Sequence, residues 1–344
     1  MDGLINVIVN RDNLNEAFEK VRKNKGAAGV DAKDIEATRQ YLKENKVQII
    51  EAIRTGKYKP QPVRRVEISK PDGGKRLLGI PTVTDRVIQQ AVVQVLTPIL
   101  DPKFSNYSYG FRPNKSAHQA IEQARSYIEE GYTYVVDIDL EKFFDKVQHD
   151  KLMSLMAKYI LCKPTLKLIR SFLNAGTMID GTFIYAKEGT PQGGPLSPLL
   201  SNVILHELDK ELEKRQHKFV RYADDCNIYV KSAKAGERVK QGVTTFIEKK
   251  LKLKVNEEKS AVGKPIARIF LGVSFYNSRG KTRVYVPKKS KKRFEEKLKY
   301  ITNRNYSIDM ESRIQKINYL IQGWGNYFKI ADRKSTGLNS SHSM

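Results

Sequence analysis

Two adjacent carboxylates, Asp224 and Asp225, stand between two strand-like runs, Phe219-Val220-Arg221 and Cys226-Asn227-Ile228-Tyr229-Val230, in the tetrapeptide Tyr222-Ala223-Asp224-Asp225. This pattern predicts a β-hairpin with both acids at its tip. Neighbouring anions repel, so the arrangement is unfavourable unless a cation shares it, and a divalent magnesium ion would supply that charge. Taken alone, the tetrapeptide also fits a solvated Asp-Asp turn.

A second acidic segment, Tyr134-Val135-Val136-Asp137-Ile138-Asp139, favours the metal reading. Period-two geometry puts Asp137 and Asp139 on one face of a strand. If that strand pairs beside the hairpin, Asp139 meets Asp224 and Asp225, and three carboxylates surround a site for two divalent ions. Two ions about 3.5–4 Å apart deprotonate an attacking hydroxyl and stabilise a leaving pyrophosphate oxygen. Asp137 reads instead as a buried structural acid or the partner of an Arg or Lys.

The 344 residues carry 62 Lys and Arg against 38 Asp and Glu, a net charge of +24 spread along the whole chain. That balance points to a polyanion partner held in a basic channel or face. Hydrophobic residues make up 40% of the chain, which excludes a disordered protein. No stretch approaches the roughly 20 apolar residues of a membrane span, and Met1–Asn6 lacks the charged region of a signal peptide. Cys162 and Cys226 form no CxxC pair, and the five histidines show no metal-ligand spacing; surface or capping roles fit them. A reducing cytoplasm is expected, with an organelle origin left open.

Helical spacing is expected over 11–55, 84–100, 116–130, 150–175 (broken at Pro164), after Pro198, over 236–251 and over 288–330. Strands are expected at Val63–Ser69, Lys75–Ile80, Thr133–Asp139, around a turn at Asp180-Gly181, on the acidic hairpin, and at 268–276 and 282–286. A helix carrying Leu140, Phe143, Phe144 and Val147 on one face is expected after Asp139. Strands and helices mix without strict alternation, which predicts an α+β fold.

Several segments, in this order, resemble the group II intron reverse transcriptases, also called intron maturases: Lys25–Asp31, Lys70–Pro81 (KPDGGKRLLGIP), Tyr109–Pro113 (YGFRP), Asp139–Asp145 (DLEKFFD), Thr190–Pro198 (TPQGGPLSP), Tyr222–Asp225 and Gly323–Phe328 (GWGNYF). The resemblance implies a right-hand polymerase: a helical extension over 1–55, fingers over 56–130, a palm with an antiparallel sheet over 131–287, and a partial helical thumb over 288–334. A disordered tail is expected at 335–344. It implies RNA-directed DNA synthesis from an RNA template, a DNA primer and deoxynucleoside triphosphates, with two magnesium ions (manganese as a substitute). Asp139, Asp224 and Asp225 would be the metal-binding acids, with the Leu140 carbonyl as a further ligand.

Lys70, Arg76, Phe144, Gln192 and Gly193 would surround the nucleotide, Phe144 lying under the sugar where a 2′-hydroxyl would clash. The basic run Lys288, Lys289, Lys292 and Arg293 would line the nucleic-acid duplex. Trp324 and Tyr327 read as thumb core. Intron RNA is the further expected partner. The chain stops soon after Phe328 without a recognisable DNA-binding or endonuclease segment, which suggests C-terminal truncation. Two alternatives compete: a non-catalytic RNA-binding maturase, and a retron or diversity-generating reverse transcriptase. The intact acids, Phe144 and Gln192 argue against the first; GWGNYF and Lys25–Asp31 argue against the second.

Overall fold

A computed structural model of the chain describes residues 3–69, 74–179, 182–185, 188–190 and 193–332. Lys70, Gln192, the turn at Asp180-Gly181 and the tail 335–344 lie outside the described residues. At Arg76 only the backbone is described.

The chain opens with α1 (Gly3–Ile8), α2 (Arg11–Lys23) and α3 (Ile35–Arg54), then β1 (Val63–Ser69), β2 (Lys75–Ile80) and α4 (Val83–Leu100). Asn10 and Asp34 cap α2 and α3, and the Thr82 hydroxyl accepts from the Asp85 amide to start α4. The loop after α2 is tied down from outside: Arg86 donates to the Ala27 carbonyl at 2.7 Å and Arg64 to that of Ala28 at 2.9 Å.

Next come α5 (Ala117–Glu129), β3 (Tyr134–Ile138), α6 (Phe143–Lys146), α7 (His149–Met156), α8 (Lys163–Leu173), β4 (Thr177–Ile179) and β5 (Thr182–Ile184). Ser116 and Gln119 close a capping box on α5. Pro164, expected to break a helix, instead sits at the start of α8, where its missing N–H costs nothing. The helix expected after Asp139 is the single turn α6, entered through Lys142 at φ 47°.

Then follow α9 (Ser197–Lys214), β6 (Lys218–Tyr222), β7 (Asp225–Val230), α10 (Ala233–Phe246), β8 (Ala261–Gly263), β9 (Ser274–Ser278), β10 (Lys281–Tyr285), α11 (Lys288–Thr302) and α12 (Met310–Phe328). The strand expected over 268–276 begins only at Ser274. Leu271 and Gly272 both adopt positive φ, and Phe270 bridges Val273 in a tight apolar turn.

One sheet has the order β2-β1-β4-β5, with β1 antiparallel to β2 and parallel to β4. The second has the order β6-β7-β3-β8, all antiparallel, and β9–β10 form a separate hairpin. Alternation gives the second sheet two dressed faces. Val136, Ile138, Phe219, Cys226 and Ile228 pack into the large core with α4 and α9. Val135, Val220 and Tyr229 face a smaller cluster with Tyr127, Phe275 and Phe328. The fold is α+β with an antiparallel sheet at its centre. No helix among the described residues is long and apolar enough to cross a membrane.

Candidate active site

The two strand segments predicted to carry the acids do pair. β7 runs antiparallel to β3 with Ile138 opposite Cys226, so one further step sets Asp139 beside Asp225. β6 and β7 are joined by Ala223-Asp224 alone, with Tyr222 opposite Asp225. Ala223 takes φ 57°, the left-handed conformation a tight hairpin requires at its first central residue. An L-residue there costs about 1–2 kcal/mol, so surrounding contacts must hold it. Gly110 lies so close to the backbone of Ala223 that any Cβ would overlap it.

Asp139 is fixed from the other side. Its N–H donates to Ser260 Oγ at 2.9 Å, and its carbonyl accepts from the Asn256 amide at 2.8 Å. Leu140 bridges Val255, but the ladder bonds run through its neighbours, including Glu141 N–H to the Lys254 carbonyl at 2.9 Å. Leu140 therefore occupies a non-hydrogen-bonded position, and alternation turns its own carbonyl away from Val255, toward the β7 side.

Asp139, Leu140, Asp224 and Asp225 share the wall of one cleft of about 1440 Å³. Among the described residues this wall carries eight carboxylates (with Glu141, Asp145, Glu188, Glu257 and Glu258) against five cationic side chains, Arg65, Lys142, Lys146, Lys254 and Lys259. In so basic a chain, this local excess of anions calls for a cation. Asp225 shows the strain. Although it opens onto the cleft, surrounding protein desolvates it, and Asp224, Asp137 and Asp139 add like charge, together pushing its carboxyl up to about 7. Burial pushes Asp137 up to about 6, opposed by the nearby positive charge of Arg268.

No group of three or more His, Cys, Asp or Glu among the described residues stands at ready-made ligand spacing. The acids face one cleft without closing into a compact three-ligand cluster. Their donor chemistry, all carboxylate oxygen plus one backbone carbonyl, suits a hard divalent cation such as magnesium.

Around this centre the predicted nucleotide contacts are distributed unevenly. Phe144 lines the cleft, half-buried, with its ring edge against buried Phe143 at 5.1 Å. Its carbonyl accepts from Thr190 N–H at 2.6 Å, and Gly189 N–H donates to the Val147 carbonyl at 2.7 Å. Gly193, at φ 129°, packs against the Gly79 carbonyl, where a Cβ would stand only 2.6 Å away, and is not on the cleft wall. The Arg76 backbone lies on β2 opposite Ile68. Lys288, Lys289, Lys292 and Arg293 are exposed along the start of α11, with Ser290 and Phe294 buried beneath them. Trp324 packs between Phe294 at 5.0 Å and Phe328 at 4.9 Å.

Other positions are new. Two of the histidines, for which surface or capping roles were expected, are buried. His149 Nε2 lies 2.7 Å from the Gly189 carbonyl, and His206 packs edge-on to Phe104 at 5.6 Å. Burial lowers the His206 pKa to about 4, so it is neutral at pH 7. The largest omission is Arg221, wholly buried and bidentate to buried Asp209 at 2.7 and 2.6 Å. Its place before the acidic pair was visible, but its partner is twelve residues away on α9.

Residues 68–275 match the family of reverse transcriptases (RNA-dependent DNA polymerases), and residues 291–339 match the maturase-specific domain of group II introns. The group II intron-encoded protein LtrA of Lactococcus lactis subsp. cremoris is 32% identical over 72% of this chain and 52% of its own length. Protein YkfC of Escherichia coli K12 is 32% identical over 75% of this chain and 78% of its own length. A chain of a partial Cas6-RT-Cas1–Cas2 complex is 28% identical, covering 72% of this chain and 42% of that one at a TM-score of 0.46. The chain thus spans about half the length of LtrA. On these two matches it belongs to the reverse transcriptases and carries a group II intron maturase-specific domain.

Proposed function

We propose that this chain is an RNA-directed DNA polymerase that extends a DNA primer on an RNA template with deoxynucleoside triphosphates, and that it binds structured intron RNA. The observation that carries the reading is the register that brings Asp139 beside Asp225 on one acidic cleft wall. In this reading, residues 1–55 are a helical extension, 56–130 fingers, 131–287 palm and 288–334 part of a thumb. The bacterial relatives support a cytoplasmic setting.

Asp139, Asp224, Asp225 and the Leu140 carbonyl would hold two magnesium ions, with manganese as a substitute. When bound, the ions activate the primer hydroxyl and neutralise the leaving pyrophosphate. The chain's own residues do the rest. Phe144, on the cleft wall, is assigned to the sugar, where its ring would exclude a 2′-hydroxyl. Lys70, Arg76, Gln192 and Gly193 are assigned to the nucleotide; Arg76 suits a triphosphate because its fork binds two oxygens at once. The cleft walls also hold Lys142 and Lys259, cations placed to meet phosphate. The test is primer extension on an RNA template with magnesium, comparing the wild type with Asp224→Asn. Template-dependent cDNA from the wild type alone supports the reading. Tight RNA binding with no cDNA from either would make the chain a non-catalytic RNA-binding maturase.

The basic start of α11 gives a separate expectation. Replacing Lys288, Lys289, Lys292 and Arg293 together by Ala should flatten the slope of log K against log salt by roughly 3, since each phosphate contact contributes about 0.7–0.9. Fluorescence anisotropy of a labelled primer–template across 50–200 mM salt reads this directly. An unchanged slope removes these residues from the duplex path.

A further inference from the structure

Arg221 lies at the end of β6, two residues before Ala223, and points to the α9 side of the sheet. Neither its side chain nor that of Asp209 is exposed at all. Its guanidinium makes four bonds: Nε and Nη2 to the two Asp209 oxygens, Nη1 to Asn202 Oδ1 at 3.0 Å, and Nη1 to the Ala223 carbonyl at 2.8 Å. The last is a bond from the strand to its own turn. The Arg221 backbone is held as well, its N–H by the Tyr107 carbonyl at 2.9 Å and its carbonyl by Tyr109 N–H at 2.8 Å.

The same network builds the opposite wall of the turn. Asn202 Nδ2 donates to the Gly110 carbonyl at 2.9 Å, and Gly110 abuts the Ala223 backbone. Asn202 and Asp209 both belong to α9, whose first residue, Ser197, follows the Gly193–Leu196 loop. One helix thus anchors both the guanidinium that grips the turn and the glycine that presses on it.

A buried ion pair is a weak source of net stability, because desolvation offsets the attraction. What this pair supplies is direction: a planar, five-donor fork that a lysine cannot reproduce. We propose that Arg221, clamped by Asp209 and Asn202, is a positioning residue that holds the left-handed Ala223 turn and so aims Asp224 and Asp225 at the cleft. The assignment rests on the polymerase reading for its functional consequence.

The experiment compares the wild type with Arg221→Met/Asp209→Leu, which removes both charges together, and with Arg221→Lys and Asn202→Ala. Thermal unfolding, single-nucleotide primer extension and manganese binding are measured, the last by loss of the free Mn²⁺ electron paramagnetic resonance signal. The double variant should melt within a few degrees of wild type. Its kcat should fall about 10–100-fold and its manganese affinity weaken by a similar factor, the usual cost of losing an outer-shell partner. The KM for nucleotide should stay within about threefold, because ground-state binding is not what the turn supplies. Arg221→Lys should lose kcat in the same way, and Asn202→Ala less, since it keeps the ion pair.

A double variant that does not fold shows a purely structural pair and overturns the proposal. So does one that folds with wild-type kcat and manganese affinity. If the wild type makes no cDNA, the polymerase reading fails on its own, and the manganese titration still decides whether Arg221 aims the acids.

Discussion

Asp139→Asn should fold normally and lose DNA synthesis by roughly 10³-fold, about 4 kcal/mol of barrier. The bonds that tie this residue to the 256–260 segment, with Ser260 Oγ and from Asn256 N–H, use its main chain, so an isosteric amide leaves them in place. What disappears is one anion from a wall where carboxylates outnumber cations. The amide also lifts like charge from Asp225, whose raised carboxyl owes part of its shift to Asp139. The melting temperature should therefore hold or rise slightly while the rate collapses. Single-turnover extension alongside a thermal melt separates the two. A variant that copies RNA at the wild-type rate would show that β3 brings no working carboxylate to the hairpin, and the assigned chemistry would go with it.

Phe144→Val should open the site to ribonucleotides. The side chain stands on the cleft wall, while its carbonyl bond to Thr190 belongs to the backbone and survives the change. Removing ring volume takes away a steric barrier without altering the acids. The ratio of kcat/KM for deoxy- over ribonucleotide should fall about 100-fold, some 2.7 kcal/mol of discrimination. Deoxynucleotide incorporation should fall by less than about tenfold, because the ring excludes rather than activates. Stability should drop by about 1–2 kcal/mol, less than for a fully buried Phe. Unaltered selectivity in a folded variant would mean that the sugar passes elsewhere.

The centre of the molecule was legible because its signals are local. Period two marks 134–138 and 219–230 as strands, and two acids at a hairpin tip need little context. β1 and β2 fall on their expected residues, since alternation marks both. Misreadings arose where tertiary packing overrode pattern. Ile269-Phe270-Leu271-Gly272-Val273 is apolar enough for a strand, yet Leu271 and Gly272 turn left-handed so that Phe270 and Val273 can both reach the smaller core. His149 and His206 carry no periodic signal, and burial among partners far along the chain was invisible. Non-local pairing was equally hidden: β1 lies parallel to β4 more than 100 residues later. So was Asp209, an acid on a helix whose charge is directed inward to a strand. The candidate acids could be named from sequence, whereas the means by which they are held could not.

The sheet order β6-β7-β3-β8 places both acid-bearing segments on inner strands. The outer side of β6 is taken in part by the Tyr107–Tyr109 segment, through a parallel bridge at Ser108 and two main-chain bonds to Arg221. The other border is β8, only three residues long. Unsaturated borders recruit foreign strands, and short or covered ones resist it. A neighbouring chain seeking to extend this sheet therefore finds little purchase beside the carboxylates, and self-association by strand exchange is discouraged at the place where it would do most harm.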